Sequence, residues 1–92
     1  MNKMREMQLL LTKIPKGKVT TYKIVAKKLR MHPRSTGKLL SKNPYPNKYP
    51  CYRVIFSDGR VIDKHIKLLK KEGIEIKNGK VDLKKFLFVF ER

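Results

Sequence analysis

Three prolines fall within the eight residues Asn43-Pro44-Tyr45-Pro46-Asn47-Lys48-Tyr49-Pro50, and no other stretch constrains the chain as strongly. Proline fixes φ and lacks an N–H, so this segment can be neither helix nor central strand. It is predicted to be a stiff, extended loop. Such a loop loses little entropy on ordering, so it can hold the next residues, Cys51-Tyr52-Arg53-Val54-Ile55, in a fixed place. A chain of 92 residues has room for one domain, 1–92, with a single core. A hydrophobic share of 40% is enough for that core and argues against disorder. No apolar run approaches the roughly 20 residues of a membrane span, and the start MNKMREMQLL has no signal-peptide core, so no membrane association is expected. One cysteine cannot form an internal disulfide, which fits a cytoplasmic location.

Helical periodicity fills the first half. Met4, Met7 and Leu11, with Leu10 beside them, predict an amphipathic helix over 4–12, whose polar side includes Gln8. Pro15-Lys16-Gly17 breaks the chain. Thr20 or Thr21 can cap a second helix carrying Tyr22, Val25, Ala26 and Leu29 and ending near Arg30. Pro33 suits the first position of a third helix running to about Ser41. There Thr36, Leu39 and Leu40 point inward, and Arg34, Ser35, Lys38 and Lys42 outward. Gly37 weakens this helix by about 1 kcal/mol relative to alanine, which suggests that something approaches the backbone closely. Two short helices and a tight turn, about 20–42, make a helix-turn-helix pattern. The loop and strand at 43–55 and the return Arg60-Val61-Ile62 read as a small hairpin or strand-like pair around Ser57-Asp58-Gly59. In the tail, 63–92, Asp63 is predicted to cap a helix that buries Ile66 and Leu69, with Leu68 a further candidate for the buried side, and stops at Gly73. Asn78-Gly79 marks a hairpin turn, and Asp82 caps a last helical turn. The expected fold is mainly α with a small β element, a winged-helix-like helix-turn-helix in a single domain.

Charge narrows the partners. With 24 Lys+Arg against 7 Asp+Glu, the formal charge is +17. A compact domain so charged repels itself, and a polyanion relieves that repulsion. Nucleic acid leads an anionic membrane surface. The bland alternative is a lysine-rich surface that serves solubility, but such needs are met by net charges of roughly 2–8. His32 and His65 stand apart from any ligand cluster, so no metal is expected, and no phosphate-binding glycine loop or dinucleotide fingerprint implies a cofactor.

A lone cysteine is by default a small buried hydrophobe. Here the proline loop before it, Arg53 beside it and the positive field favour thiolate over thiol, and a thiolate on a DNA-binding domain suggests attack on an electrophilic carbon held by DNA. The run Asn43 to Ile55, with Pro50-Cys51-Tyr52-Arg53-Val54 at its centre, resembles the active-site segment of the O6-alkylguanine-DNA alkyltransferases. Upstream, Ile14-Pro15-Lys16-Gly17 and Val19-Thr20-Thr21-Tyr22 resemble the same family's entry to its helix-turn-helix, and the likeness spans about residues 4–88.

The resemblance implies a protein that binds duplex DNA carrying alkylated guanine, flips that nucleotide out and takes the alkyl group onto Cys51. Arg34 matches the finger that fills the hole in the stack, and Tyr22 the tyrosine that crowds the phosphate. Ser35, Gly37, Lys38, Lys42 and Arg53 fall on the implied DNA side, with the helix docked in the minor groove. Asn43 matches an asparagine tying the recognition helix to the active-site loop; an ordinary Asx turn before Pro44 is the other reading.

Cys51, Tyr52 and Glu72 occupy the family's Cys-His-Glu positions. A tyrosine is a poor base at neutral pH, so Tyr52 is expected to hydrogen-bond a thiolate or a nearby water, and Glu72 to be left a surface or capping role. The family's N-terminal domain has no counterpart in these residues. Only 20 residues separate Cys51 from Glu72, too few for the glycine-rich lid, which implies an open pocket tolerant of bulky alkyl groups. These departures resemble the alkyltransferase-like proteins, which bind such lesions without repairing them and flag them for nucleotide excision repair. Retention of Cys51 leaves two readings open: a single-turnover methyltransferase, or a non-catalytic lesion binder with nucleotide excision repair proteins as partners. In either the chain is expected to act as a monomer. A third reading, nonspecific DNA coating, needs only the charge.

Overall fold

The computed structural model describes residues 2–45 and 48–90. Helix α1, Lys3–Leu11, starts where the Asn2 side chain accepts from the Arg5 N–H at 2.8 Å. Strand β1, Thr20–Thr21, runs directly into helix α2, Tyr22–Leu29, whose N-cap is Thr21. Arg30 ends α2 in the left-handed region at φ 56°. Helix α3, Pro33–Ser41, follows with its proline in the first turn and His32 as N-cap, its Nδ1 accepting from the Arg34 N–H at 3.1 Å. Thus His32, unassigned by the sequence, satisfies one of the free N–H groups that every helix start presents. Together α2 and α3 form the helix-turn-helix.

The strand pairing differs from the expected hairpin. After a 3-10 turn at Cys51–Arg53, strand β2, Val54–Ile55, pairs in parallel with β1, matching Thr20 with Val54 and Thr21 with Ile55. Val54 and Ile55 are both buried, and burial on both faces is the habit of parallel strands. The return segment instead joins the second hairpin, formed by β3, Ile76–Lys77, and β4, Lys80–Val81. Arg60 bridges to Lys80, and the Val61 N–H donates to the Gly79 carbonyl at 3.0 Å. The Asn78-Gly79 turn has φ of 53° and 74°, the pair of positive values that a two-residue hairpin turn of matching twist requires.

Helix α4, Asp63–Lys71, also differs at its start. Its N-cap is Ile62, extended and without a side-chain cap, so Asp63 already lies in the first turn, where its charge still favours the helix dipole. A last helix, α5, Leu83–Phe86, is capped by Asp82, which accepts from the Lys84 N–H. The chain then returns beside β1: the Phe88 N–H donates to the Val19 carbonyl at 2.7 Å and the Val19 N–H to the Phe86 carbonyl at 2.9 Å.

The single core expected from size is divided by the β1–β2 pair. Adjacent strand residues face opposite ways. Val54 therefore joins Met7, Leu11, Ile14, Val25, Leu29, Leu40 and Tyr49, while Ile55 joins Val19, Val61, Leu69, Ile74 and Val81. Gln8, placed on the polar side by periodicity, is buried. Among the described residues no helix is long and apolar enough to cross a membrane.

The turn at Gly59 is held against the second hairpin. Gly59 has φ +94°, and a Cβ there would sit 2.7 Å from the Val81 carbonyl oxygen, whose residue donates its N–H to the Gly59 carbonyl at 2.8 Å. Neither the conformation nor the contact tolerates a side chain. Gly59→Ala is expected to lower unfolding stability by about 2 kcal/mol or more, read by urea titration.

Candidate functional site

Cys51 is half-buried at the start of the 3-10 turn. Its position is set from both sides. Downstream, β2 is fixed to β1. Upstream, the Asn43 amide donates to the Tyr49 carbonyl at 2.8 Å while its carbonyl oxygen accepts from the Tyr45 N–H at 3.2 Å. One side chain therefore makes both the Asx turn and the tie between the end of α3 and the proline loop. Tyr49 is buried in the first core cluster and its hydroxyl accepts from Arg5 at 3.3 Å. Pro46 and Asn47 lie outside the described residues.

Cys51 opens into a cleft of about 350 Å³, within the range of small-molecule pockets. Gly37, Leu40 and Ser41 of α3 form one wall with Tyr22 and Asn43, and Ile62, Lys64, His65 and Leu68 form the other. No neighbouring atom lies within 4 Å of where a Gly37 Cβ would stand. The close approach expected at this glycine is therefore not made by any described residue, and Gly37 borders the open cleft instead. Burial, with Cys51 nearby, raises the Tyr22 phenol above its ordinary 10.0, so Tyr22 enters the cleft as a neutral hydroxyl.

Behind Cys51 sits a buried ion pair. The Arg53 guanidinium meets the Glu72 carboxylate with Nη2 to Oε2 at 2.7 Å, and the two side chains keep only 14% and 7% of their exposure. Arg53 also donates to the Ile14 carbonyl at 2.8 Å. Glu72 accepts from the Tyr52 hydroxyl at 2.7 Å and from the Gly17 N–H at 3.3 Å. Burial alone would raise the Glu72 carboxyl, but the hydrogen bonds from Arg53, Tyr52 and Gly17 outweigh it and hold it below its ordinary 4.5. Tyr52 moves the other way: burial, then its bond to Glu72, raises its phenol above 10.0.

This geometry bears on three expectations. Glu72 is the C-cap of α4, as the capping expectation had it, but its carboxylate is not left at the surface: it is the acceptor at the centre of a buried network. The Tyr52 hydroxyl is turned to Glu72 instead of to the thiol. Arg53, expected on the DNA side, has its charge met by Glu72 and donates to the Ile14 carbonyl. The remaining basic candidates, Arg34, Lys38 and Lys42, are exposed with Ser35 along α3 and its end. Arg34 borders a second groove with Tyr22, Pro33, Gly37 and Phe56. Phe56, 38% exposed, packs its ring 5.2 Å from that of Tyr22 and lies under the Arg60 guanidinium at 5.0 Å.

Sequence reasoning missed Phe56 and the far wall of the cleft. His65 was set aside for want of ligand neighbours, and among the described residues no group of three or more His, Cys, Asp or Glu could hold a metal ion. The available signal was the spacing of His65 and Leu68, three apart on one face of α4, beside half-buried Ile66 and buried Leu69.

Residues 3–91 match the family profile of the 6-O-methylguanine DNA methyltransferase DNA-binding domain. The chain belongs to that family. It is 44% identical over 87 residues to a bifunctional methyltransferase/endonuclease of Picrophilus torridus, covering 86% of this chain and 29% of that protein. It is 45% identical over 65 residues to a methylated-DNA–protein-cysteine methyltransferase of Sulfolobus acidocaldarius, covering 65% of this chain and 42% of the relative. The chain thus spans less than half the length of these alkyltransferase relatives. Among solved structures, the methyltransferase of Pyrococcus kodakaraensis superposes with TM-score 0.71 at 32% identity, covering 80% of this chain and 47% of that one. The fold is also that of Schizosaccharomyces pombe Atl1, solved with damaged DNA containing O6-carboxymethylguanine, with TM-score 0.84, 24% identity and 94% of each chain covered.

Within this family domain the ion pair behind Cys51 is open to direct test. Removing one partner of a buried pair strands the other charge, at a cost of about 3 kcal/mol. Glu72→Gln is expected to lower stability by that order at neutral pH in urea unfolding. Because the folded carboxyl is held below 4.5, its contribution is complete above that pH and is lost as pH falls through the folded value. The gap between wild type and Glu72→Gln should therefore close below pH 4.5 and stay constant above it.

Proposed function

We propose that this chain binds duplex DNA containing O6-alkylguanine, turns the modified nucleotide into the Cys51 cleft and accepts its alkyl group on the sulfur in a single turnover. The observation that carries this reading is the shared cleft: the only cysteine and the inner face of the recognition helix line one cavity. A base leaving the stack beside α3 has a short path to the thiol. Exposed Lys38 and Lys42, with the wider positive surface, supply sequence-independent phosphate contacts whose strength falls steeply with salt. Arg34, at the exposed start of α3, is placed to enter the stack and hold the gap, and Tyr22 to crowd the turned-out nucleotide from beside the cleft. Lesion recognition does not require reading sequence, which suits a helix lying in the minor groove, where the base code is degenerate.

In the transfer, the Cys51 sulfur gives an electron pair to the alkyl carbon and the bond from that carbon to O6 breaks. The guanine oxygen keeps the bonding pair, and the proton lost by the thiol is balanced by the one gained by the base. Each molecule reacts once, because nothing in the cleft removes a thioether. With the far wall contributed by the start of α4, the cleft admits bulky adducts as well as methyl.

A second reading is favoured by one observation: Tyr52 holds the position of the family histidine but gives its hydroxyl proton to Glu72. A chain without a base at Cys51 would bind the lesion, leave it unrepaired and present it to nucleotide excision repair proteins.

Mass spectrometry of the chain incubated with an O6-methylguanine duplex separates the two. One methyl group on Cys51, in stoichiometric yield, is expected. Unmodified protein that still prefers the lesion duplex over an undamaged one would establish the second reading, and equal affinity for both duplexes at matched salt would remove both. Arg34→Ala is expected to weaken lesion binding about tenfold or more while changing undamaged-duplex affinity only as the loss of one phosphate contact does.

A further inference from the structure

The transferase reading leaves the thiol proton without a destination, since Tyr52 is turned to Glu72. The residues lining the cleft are few enough to search. Lys64 is a residue of donors without an acceptor, Ser41 and Tyr22 are hydroxyls, which are poor bases, and Asn43 is occupied at both ends by the loop. The remaining proton-accepting side chain on the cleft wall is His65. We propose that His65, one turn into α4, is the proton acceptor for Cys51, a role moved from the position after the cysteine to the opposite wall of the cleft. The assignment rests on the transferase reading but can be tested apart from it.

Helix α4 holds the imidazole in place. The His65 N–H of the backbone donates to the Ile62 carbonyl at 2.8 Å, and the ring lies edge-on to Tyr52 with centroids 6.5 Å apart. Tyr52 lies against it, and Lys64 from its own helix, Cys51 from the 3-10 turn and Tyr22 from α2 line the same cleft. The Glu72 carboxylate is bonded to the Tyr52 hydroxyl and paired to Arg53. Among the described residues no carboxylate lines the cleft with His65, and burial, then Lys64, lowers its pKa below the ordinary 6.5. A neutral imidazole at physiological pH is the form a general base requires. The proton passes from sulfur to an imidazole nitrogen, directly or across one water, as the sulfur–carbon bond forms. The imidazolium then releases it, and the freed guanine takes up one proton, so charge and atoms balance.

The test uses iodoacetamide, a small electrophile that needs neither DNA nor lesion, and follows carboxamidomethylation of Cys51 by mass spectrometry from pH 5 to 9. In wild type the rate should rise through a titration below 6.5 and level off. In His65→Gln it should be on the order of 10²-fold slower at pH 7. It should also keep rising with pH across the range where wild type is flat. In His65→Ala, added imidazole should restore rate, which a packing role would not allow, and thermal melts of both variants report folding. A His65→Gln profile superimposable on wild type, or a loss that imidazole does not restore, overturns the assignment. Failure of alkyl transfer from O6-methylguanine DNA with an intact His65-dependent iodoacetamide profile would instead remove the transferase reading and leave this one standing.

Discussion

The carboxylate of Glu72 is where three distant parts of the chain are made to agree. It receives the Arg53 guanidinium and Tyr52 hydroxyl from the turn that carries Cys51, and the Gly17 N–H from the break after α1. Arg53 closes the circuit on the Ile14 carbonyl. The Pro15-Lys16-Gly17 corner, the cysteine turn and the end of α4 thus share one buried charge pair. Apolar packing alone would leave these segments free to shift by small amounts, whereas a network of directional bonds fixes their register. The same bonds occupy the polar groups of Tyr52 and Arg53, the two residues that follow Cys51 in the turn.

Local chemistry made much of the first half legible. Thr21, Pro33 and Asp82 stand where helix starts need them, and Asn78-Gly79 takes the two positive φ values that its sequence announced. Helices with one apolar stripe reveal their buried face through spacing, as Val25 and Leu29 do. Strand pairing is a long-range choice, and Val54-Ile55 gave no local sign that its neighbour would be Thr20-Thr21 instead of Arg60-Val61. Such a run, buried on both faces, has no alternation to read.

The candidate site divides along the same line. Cys51 and the face of α3 were readable because they are close in sequence to the proline loop and to each other's motifs. The buried contacts of Tyr52, Arg53 and Glu72 were not legible because each reaches across about 20 residues. His65 and Phe56 were passed over for a related reason: each acquires meaning only from what α4 and the Phe56–Arg60 turn are packed beside. Replacing a family histidine with tyrosine looked like a loss of function at one position. In three dimensions the tyrosine completes an ion-pair network, and an imidazole stands across the cleft.

The central claim is that the recognition helix and the cysteine turn form one receptacle for a nucleotide drawn out of the duplex. A crystal structure of the Cys51→Ser chain with a duplex containing O6-methylguanine tests it most directly. The account predicts the modified guanine in the cleft, its O6 substituent directed at residue 51, with Arg34 in the vacated stack. A complex in which that guanine remains paired and stacked, with the cleft unoccupied by the base, would contradict it.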